Sequence, residues 1–293
     1  MDQGKLTEAL FGLIRRASTA LPPDVEAAMR AGIEAEGEGS SAASSLSLMI
    51  ENARQARDGG TPICQDTGAL MFFVDLGPDF RQRQIEEAAK AATARATEEY
   101  YLRPNAVDAV TGKNSGDNIG IGMPYFHFDQ RDDDGVRVRL LLKGGGSENV
   151  GAQYKLPDSS LKAGRDLEGV RKCVIDAVYN AQGKGCAPGV AGVGIGGDRG
   201  SSFFCSKEQF LRPLDDVNPD PTLADLERRL FSDLNGLGIG PSGFGGQTTV
   251  LGVKIGKRHR VPASFFVSVS YVCWAYRKAF MTIEGGEVAY DWD

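Results

Sequence analysis

No run of apolar residues in this chain approaches the roughly 18–20 that a helix needs to cross a bilayer. Positive charge is not in excess either: 33 Lys and Arg stand against 39 Asp and Glu, a net charge of −6. That balance argues against nucleic acid or an anionic membrane surface as the main partner. There is no internal repeat and no low-complexity linker; the nearest approach to one is "AEGEGSSAASS" at 35–45. None of the other four cysteines lies within four residues of Cys64 in "PICQDTG", which excludes a zinc knuckle or a CxxC redox pair there. The N-terminal "MDQGKLTEALFGLIRRAS" has neither the apolar stretch nor the small-residue cleavage site of a secretory signal. The expectation is a cytoplasmic protein whose cysteines stay reduced and serve as ligands or nucleophiles before they serve as disulfides.

What is present fits a soluble globular protein. The 293 residues, 41% hydrophobic and 25% charged, suffice for one large domain or two small ones. Glycine is over-represented: 38 residues, about 13% where roughly 7% is average. The excess is clustered in "KGGGSEN" (143–149), "GVAGVGIGGDRG" (189–200) and "GLGIGPSGFGG" (236–246). Such clusters mark places where backbone approaches a ligand or another backbone closely. In "GIGPSGFGGQTT" (238–249) the lysine of a phosphate-binding loop is replaced by Gln247, so nucleotide binding is rejected.

Periodicity predicts an amphipathic helix at the N-terminus, with Leu6, Leu10, Leu13 and Ile14 on one face. A second is predicted over 84–102, ending before Arg103-Pro104 because the residue before a proline disfavours the helical region. Helices follow over 166–182 and over 221–235, the latter capped by an Asp, begun by Pro221 and stopped at Gly236. "VRVRLLL" (136–142) and "ASFFVSVSYVC" (263–273) alternate as strands do. The fold class expected is mixed α/β, with β-sheets flanked by helices.

The five cysteines divide into two groups. Cys173 falls on the apolar face of the 166–182 helix, and Cys205 in "SSFFCSKEQF" has no polar constellation around it; both read as small buried hydrophobes. Cys64 sits in a polar turn, Cys186 in "GKGCAPGV" beside glycine and proline, and Cys273 closes a strand before Trp274. Three thiolates converging in the folded state suit an iron–sulfur cluster with one iron left open to act as a Lewis acid. The competing reading is that dispersed cysteines are core residues.

Taken together, "PICQDTGALMFFVDLG" (62–77), "LRPNAVDAVTGKNSGDN" (102–118), "LLKGGGSENV" (141–150), "GCAPGVAGVGIGGDRGSS" (185–202), "RPLDDVNPDPTLADLERRL" (212–230), "LNGLGIGPSGFGGQTTVLGVKI" (234–255) and "VSVSYVCWAYRK" (267–278) resemble the N-terminal, or α, portion of the class I iron–sulfur fumarate hydratases and the related L-tartrate dehydratases. The resemblance runs from about residue 50 onward. It implies one iron–sulfur hydro-lyase α domain over 1–293, residues 1–48 being a mainly helical segment within it, and a 4Fe-4S cluster on Cys64, Cys186 and Cys273. It implies substrate-binding roles for Gln65, Arg103, Gly146 and Ser147, and catalytic roles for Asp66 and His259. His127, in an aromatic run, is read as structural. The substrate implied is a small dicarboxylate, fumarate first, with tartrate or mesaconate as alternatives. Nothing in the chain resembles the family's C-terminal portion, so a complementary β subunit is the expected partner, in a homodimer or an α2β2 assembly. A non-catalytic iron–sulfur scaffold or oxidant sensor is the alternative of another class.

Overall fold

The computed structural model describes residues 1–292. The chain separates into two compact units, each assembled from non-consecutive segments. Unit 1 comprises Met1–Pro23, Glu51–Gly145 and the chain from Arg277; unit 2 comprises Asp24–Ile50 and Gly146–Tyr276. The sequence suggested a single domain over 1–293. Two apolar clusters, each closed on its own sheet, underlie the division.

Unit 1 is built on a five-stranded sheet in the order β2-β1-β3-β8-β9. These strands are β1 (Ala69–Leu76), β2 (Tyr125–Gln130), β3 (Val136–Lys143), β8 (Arg277–Glu284) and β9 (Glu287–Tyr290). β1 and β2 run parallel and the remaining pairs are antiparallel. The helices α1 (Gln3–Thr19) and α4 (Gln82–Glu98) pack on one face. Leu6, Leu10, Leu13 and Ile14 of α1 meet Val136, Val138, Leu140 and Leu142 of β3 there, all fully buried. The period-two alternation of β3 thus finds the period-3.6 stripe of α1. Helix α4 ends earlier than the Pro104 signal predicts. Tyr100 adopts φ 65°, and the amides of Tyr101 and Leu102 both return to the Ala96 carbonyl. The Ser18 hydroxyl ties down Tyr101 O at 2.6 Å. Tertiary anchoring of Tyr101, whose ring also meets Phe11 edge-on at 5.8 Å, stops the helix before the proline can.

Unit 2 holds a four-stranded sheet ordered β4-β7-β5-β6: β4 (Ala152–Lys155), β5 (Gly189–Ile195), β6 (Val250–Lys257) and β7 (Phe266–Val272). β5 and β6 are parallel, while β7 runs antiparallel to β4 and β5. Helices α2 (Pro23–Glu36), α6 (Leu167–Ala181), α7 (Arg199–Glu208) and α8 (Pro221–Asn235) complete it. The remaining two, α3 (Ser41–Gly59) and the short α5 (Gly145–Asn149), lie where the chain passes between units. Asp220 caps α8 by accepting from Thr222 N and Leu223 N, with Pro221 in the first turn, as the sequence predicts. Asp166 and Asp198 cap α6 and α7; each such cap is worth about 1 kcal/mol.

The two faces of this sheet differ by design of the sequence. Ala191, Val193, Val267, Val269 and Tyr271 join α6 and α8 in one apolar cluster. The alternate residues are Gly192, Gly194, Ser268 and Ser270. A Cβ on Gly194 would lie 2.1 Å from Ser202 O, and one on Gly192 2.3 Å from Ser206 O. The backbone of α7 therefore rests directly on β5. Beside it the Ser268 hydroxyl donates to Ser202 Oγ at 2.8 Å, and Ser206 and Ser270 share a hydroxyl pair at 2.7 Å. Glycine in β5 is a packing requirement here. Gly194→Ala is expected to lower stability by about 2 kcal/mol or more, read as a fall in the urea midpoint at unchanged slope.

Candidate functional site

In unit 1 the site residues gather in the turn preceding β1. Pairing of Ala69 with Lys143 sets Gly68 against the Lys143 backbone so closely that a Cβ would meet it at 2.8 Å. The turn is thereby pinned to the end of β3. Asp66 Oδ1 accepts from Gly68 N at 3.1 Å, and Asp66 Oδ2 lies 3.0 Å from where a Cβ on Gly144 would stand. Thr67, fully buried, is the knot: its hydroxyl accepts from Arg103 N at 2.9 Å and from Asn105 Nδ2 at 3.0 Å. Asn118, also buried, holds the same segment by accepting from Asn105 N and donating to Arg103 O. Arg103 is thus brought beside the turn, its exposed guanidinium donating to Gln65 O at 3.4 Å. Of the residues singled out in the sequence, Cys64, Gln65, Asp66 and Arg103 come together here.

Thr67, Asn105 and Asn118 were given no role in the sequence reading, although "PNAVDAVTGKNSGDN" contains two of them. Nor were three buried cations at the same end of the sheet. Lys143, Arg277 and Lys278 are 3%, 1% and 4% exposed. They fall at the last residue of β3 and the first two of β8, with Leu142 opposite Arg277 and Leu141 opposite Lys278. Arg277 Nη2 lies 3.7 Å from the position of a Gly144 Cβ, the point that Asp66 Oδ2 approaches to 3.0 Å. Burying charge is costly in a protein interior, so three buried cations at one strand end set this part of unit 1 apart. The signal in the sequence was the basic pair directly after "CWAY".

In unit 2, Cys186 and Cys273 are brought together. β5 begins three residues after Cys186 and β7 ends one residue before Cys273. The two strands are antiparallel neighbours, so both cysteines emerge at the same end. There Trp274 N donates to Cys186 O at 3.2 Å. Cys186 is exposed and in the left-handed region, φ 56°; Cys273 is half-buried, its Sγ 3.8 Å from Ala275 O. Beneath them burial raises the Tyr271 hydroxyl well above the ordinary phenol value, and the Cys273 and Cys186 thiols add to the shift. Gly146 and Ser147 belong to α5, where a Cβ on Gly146 would be 3.9 Å from Lys184 O, two residues before Cys186. Ser147 is buried.

His259 is not brought to that end of its unit. Ile195, the last residue of β5, pairs with Lys257 at the end of β6, and His259 follows in an exposed loop with Lys257, Arg258 and Arg260. The seven residues of β5 put roughly 20 Å of sheet between it and Cys186. His127 packs on Phe73, ring centroids 4.9 Å apart, in keeping with a structural role. The glycine loop rejected as a nucleotide site has its amides occupied: Gln247 N and Thr248 N donate to the Glu36 carboxylate at 2.9 and 2.5 Å.

All five cysteines are thiols without disulfides. Cys64, Cys186 and Cys273 are soft donors at element ends, accessible to a bound group. Cys173 and Cys205 are buried, and burial pushes their thiols up to about 12 and about 11. Among the described residues no three His, Cys, Asp or Glu side chains are gathered tightly enough to hold a single metal ion. A four-iron cluster spreads its thiolate ligands around a cube instead, so the donor chemistry fits that group. Brief alkylation of the native chain at pH 8 is expected to modify Cys186 first and to leave Cys173 and Cys205 unmodified until the chain unfolds, as read by peptide mass spectrometry.

A family profile described as fumarate hydratase (Fumerase) matches residues 7–282. A protein of Geobacillus stearothermophilus assigned as a class I fumarate hydratase is 50% identical over 283 residues, covering 96% of this chain and 55% of that protein. The L(+)-tartrate dehydratase subunit alpha of Escherichia coli K12 is 34% identical over 281 residues, 95% of this chain and 91% of that subunit. A protein of Methanocaldococcus jannaschii assigned as the same subunit is 34% identical over 285 residues, 96% and 98% of the two chains. The chain belongs to the fumarate hydratase family. It spans about half the length of the Geobacillus relative and nearly the whole of the tartrate dehydratase alpha subunits. No helix among the described residues is long and apolar enough to cross a membrane.

Proposed function

We propose that this chain is the α portion of a class I fumarase-type hydro-lyase, interconverting fumarate and (S)-malate together with a complementary β portion. The observation that carries the reading is the meeting of Cys186 and Cys273 at one end of the unit 2 sheet, in a chain half identical to a class I fumarate hydratase. With Cys64 these thiols would hold a 4Fe-4S cluster, whose chemistry when bound is that of a Lewis acid at the one iron lacking a protein ligand.

The chain's own residues bind, orient and move the proton. Arg103 presents a planar fork suited to one carboxylate of a dicarboxylate, from a backbone fixed by Thr67 and Asn118. The amides of Gly146 and Ser147 suit a second anionic group. Asp66 accepts from the Gly68 amide, and its carboxylate is the group suited to give or take the proton at the substrate carbon. Gln65 lies beside both the cysteine and Arg103 and contributes an amide to substrate oxygens. His259 follows the end of β6 opposite to the Cys186 end of the sheet, so the proton transfer is assigned to Asp66.

A tartrate dehydratase is the second reading, supported by the near full-length match to the alpha subunits; the reading with fumarate first is supported by the 50% identity to a class I fumarate hydratase. The test is anaerobic reconstitution of the chain, with and without a β partner, followed by assay on fumarate, (S)-malate, tartrate and mesaconate. Loss of fumarate absorbance only with both chains present is the expected result. An intact cluster without turnover of any of the four acids overturns the reading in favour of a non-catalytic iron–sulfur subunit. Replacing Cys64, Cys186 or Cys273 by Ser should abolish the brown chromophore, and Cys173→Ser should not. Asp66→Asn should retain the chromophore and lower kcat by about 100-fold or more.

A further inference from the structure

Backbone amides in a glycine-rich loop suit an anion, and in the loop at 238–249 the anion is a side chain of the same chain. Gln247 N and Thr248 N donate to the Glu36 carboxylate at 2.9 and 2.5 Å. The next two amides, Thr249 N and Val250 N, both donate to Asn235 Oδ1 at 2.9 Å. Consecutive amides are thus taken by the last residue of α2 and the last residue of α8. Gly246, at φ 127°, lets the carboxylate approach. A Cβ there would stand 2.7 Å from Ala42 Cβ and 2.8 and 2.9 Å from the two Glu36 oxygens. An acid at the C-terminus of a helix faces the negative end of the helix dipole, so Glu36 does nothing for α2 itself. Its position serves the loop.

From there the loop reaches the Cys186 turn. It folds back on itself, Gly245 N donating to Ile239 O at 2.9 Å and Gly240 N to Thr249 Oγ1 at 3.2 Å. At its tip Ser242 is left-handed, φ 54°, and its amide donates to Ala187 O at 2.7 Å. On the other side of the cysteine, a Cβ on Gly183 would stand 2.6 Å from Ser242 O and 3.0 Å from Gly243 Cα, so the two backbones touch. Cys186, between these contacts, is left-handed too, φ 56°. A residue with a Cβ keeps that conformation only where its surroundings impose it. Its amide closes on Gly183 O at 3.0 Å, and its carbonyl accepts from Trp274 N at 3.2 Å.

We propose that Glu36 is a positioning residue for Cys186. Its carboxylate draws the 240–248 loop together, and the loop holds the Cys186 turn in the conformation that leaves the thiol exposed. This part stands on the fold alone. Its consequence, that the turn is set before a cluster arrives, rests on the cluster reading above.

Amide hydrogen exchange in the purified chain, with no cluster added, tests the first part. Glu36→Ala should speed exchange at Gln247 and Thr248 and, beyond them, at Ser242, Cys186 and Trp274. The expected factor is about tenfold or more, for the loss of two hydrogen bonds to a charged group. The amides of β7 should be unchanged, and Glu36→Gln, which keeps one acceptor oxygen, should fall between. Faster exchange confined to Gln247 and Thr248, or spread equally over β7, overturns the positioning role. Gly183→Ala parts the same two backbones without touching Glu36, and it decides the matter should Glu36→Ala fail to fold. It should speed exchange at Cys186 and Ser242 and leave Gln247 and Thr248 protected; unchanged exchange at Cys186 overturns the hold of the loop on the turn. Anaerobic reconstitution tests the consequence. Glu36→Ala should form the brown chromophore about tenfold more slowly or worse, by the same loss, and Glu36→Gln should restore part of the rate. Equal rates overturn the consequence for the cluster. Failure of the unchanged chain to take up any cluster overturns it together with the cluster reading, and leaves the positioning role to the exchange measurement.

Discussion

The sheet of unit 2 depends on a direct approach of two backbones. Gly192 and Gly194 let the main chain of α7 settle on β5 with no side chain between them, and the neighbouring serines of β7 close the gap with hydroxyl pairs. A helix so close fixes β5 in depth. The opposite face of β5 is free to carry the apolar cluster with α6 and α8, and the strand's start defines where Cys186 emerges. Had β5 carried larger residues toward α7, the sheet would be displaced and the Cys186–Trp274 contact with it. The high glycine content thus serves packing as much as ligand approach.

Unit 1 solves a different problem. Its functional turn is short, polar and half-exposed, so it cannot be held by burial. Hydrogen bonds replace packing there: Thr67 and Asn118 are buried and satisfied, and they tether the exposed Gln65 and Arg103 to a fixed frame. A network of this kind holds geometry only when each member is satisfied. Behind it, Lys143, Arg277 and Lys278 are buried at the same end of the sheet.

Elements whose signals are local were legible in the sequence. Helix α8 has its Asp cap, its Pro and its Gly within one short stretch, and its observed bounds follow them. The alternation of β3 and β7 revealed which residues face a core, because period two survives without knowledge of the partner. What could not be read was anything set by residues far apart in the chain. The pairing of β3 with β8 joins segments some 140 positions apart, and α4 stops where Tyr101 is anchored rather than at its proline. The same holds for the site. Cys64, Cys186 and Cys273 stood out by their surroundings and by family resemblance. Thr67 looked like an ordinary turn residue, since its role depends on Arg103 and Asn105. His259 matched a motif, and a motif carries no information about which end of a sheet it occupies.

The interleaving of the two units has a consequence for the order of assembly during synthesis. β8, which occupies the place between β3 and β9 in the sheet of unit 1, is translated only after the whole of unit 2. Until it leaves the ribosome, β3 presents an unpaired edge, with the apolar residues of β1 and β3 already packed on α1. Such an edge is a template for wrong partners. Unit 2 has its last strand, β7, before that point and can complete its sheet first. The nascent chain therefore passes through a stage in which the half carrying Cys186 and Cys273 is formed while the half carrying Cys64 is still open.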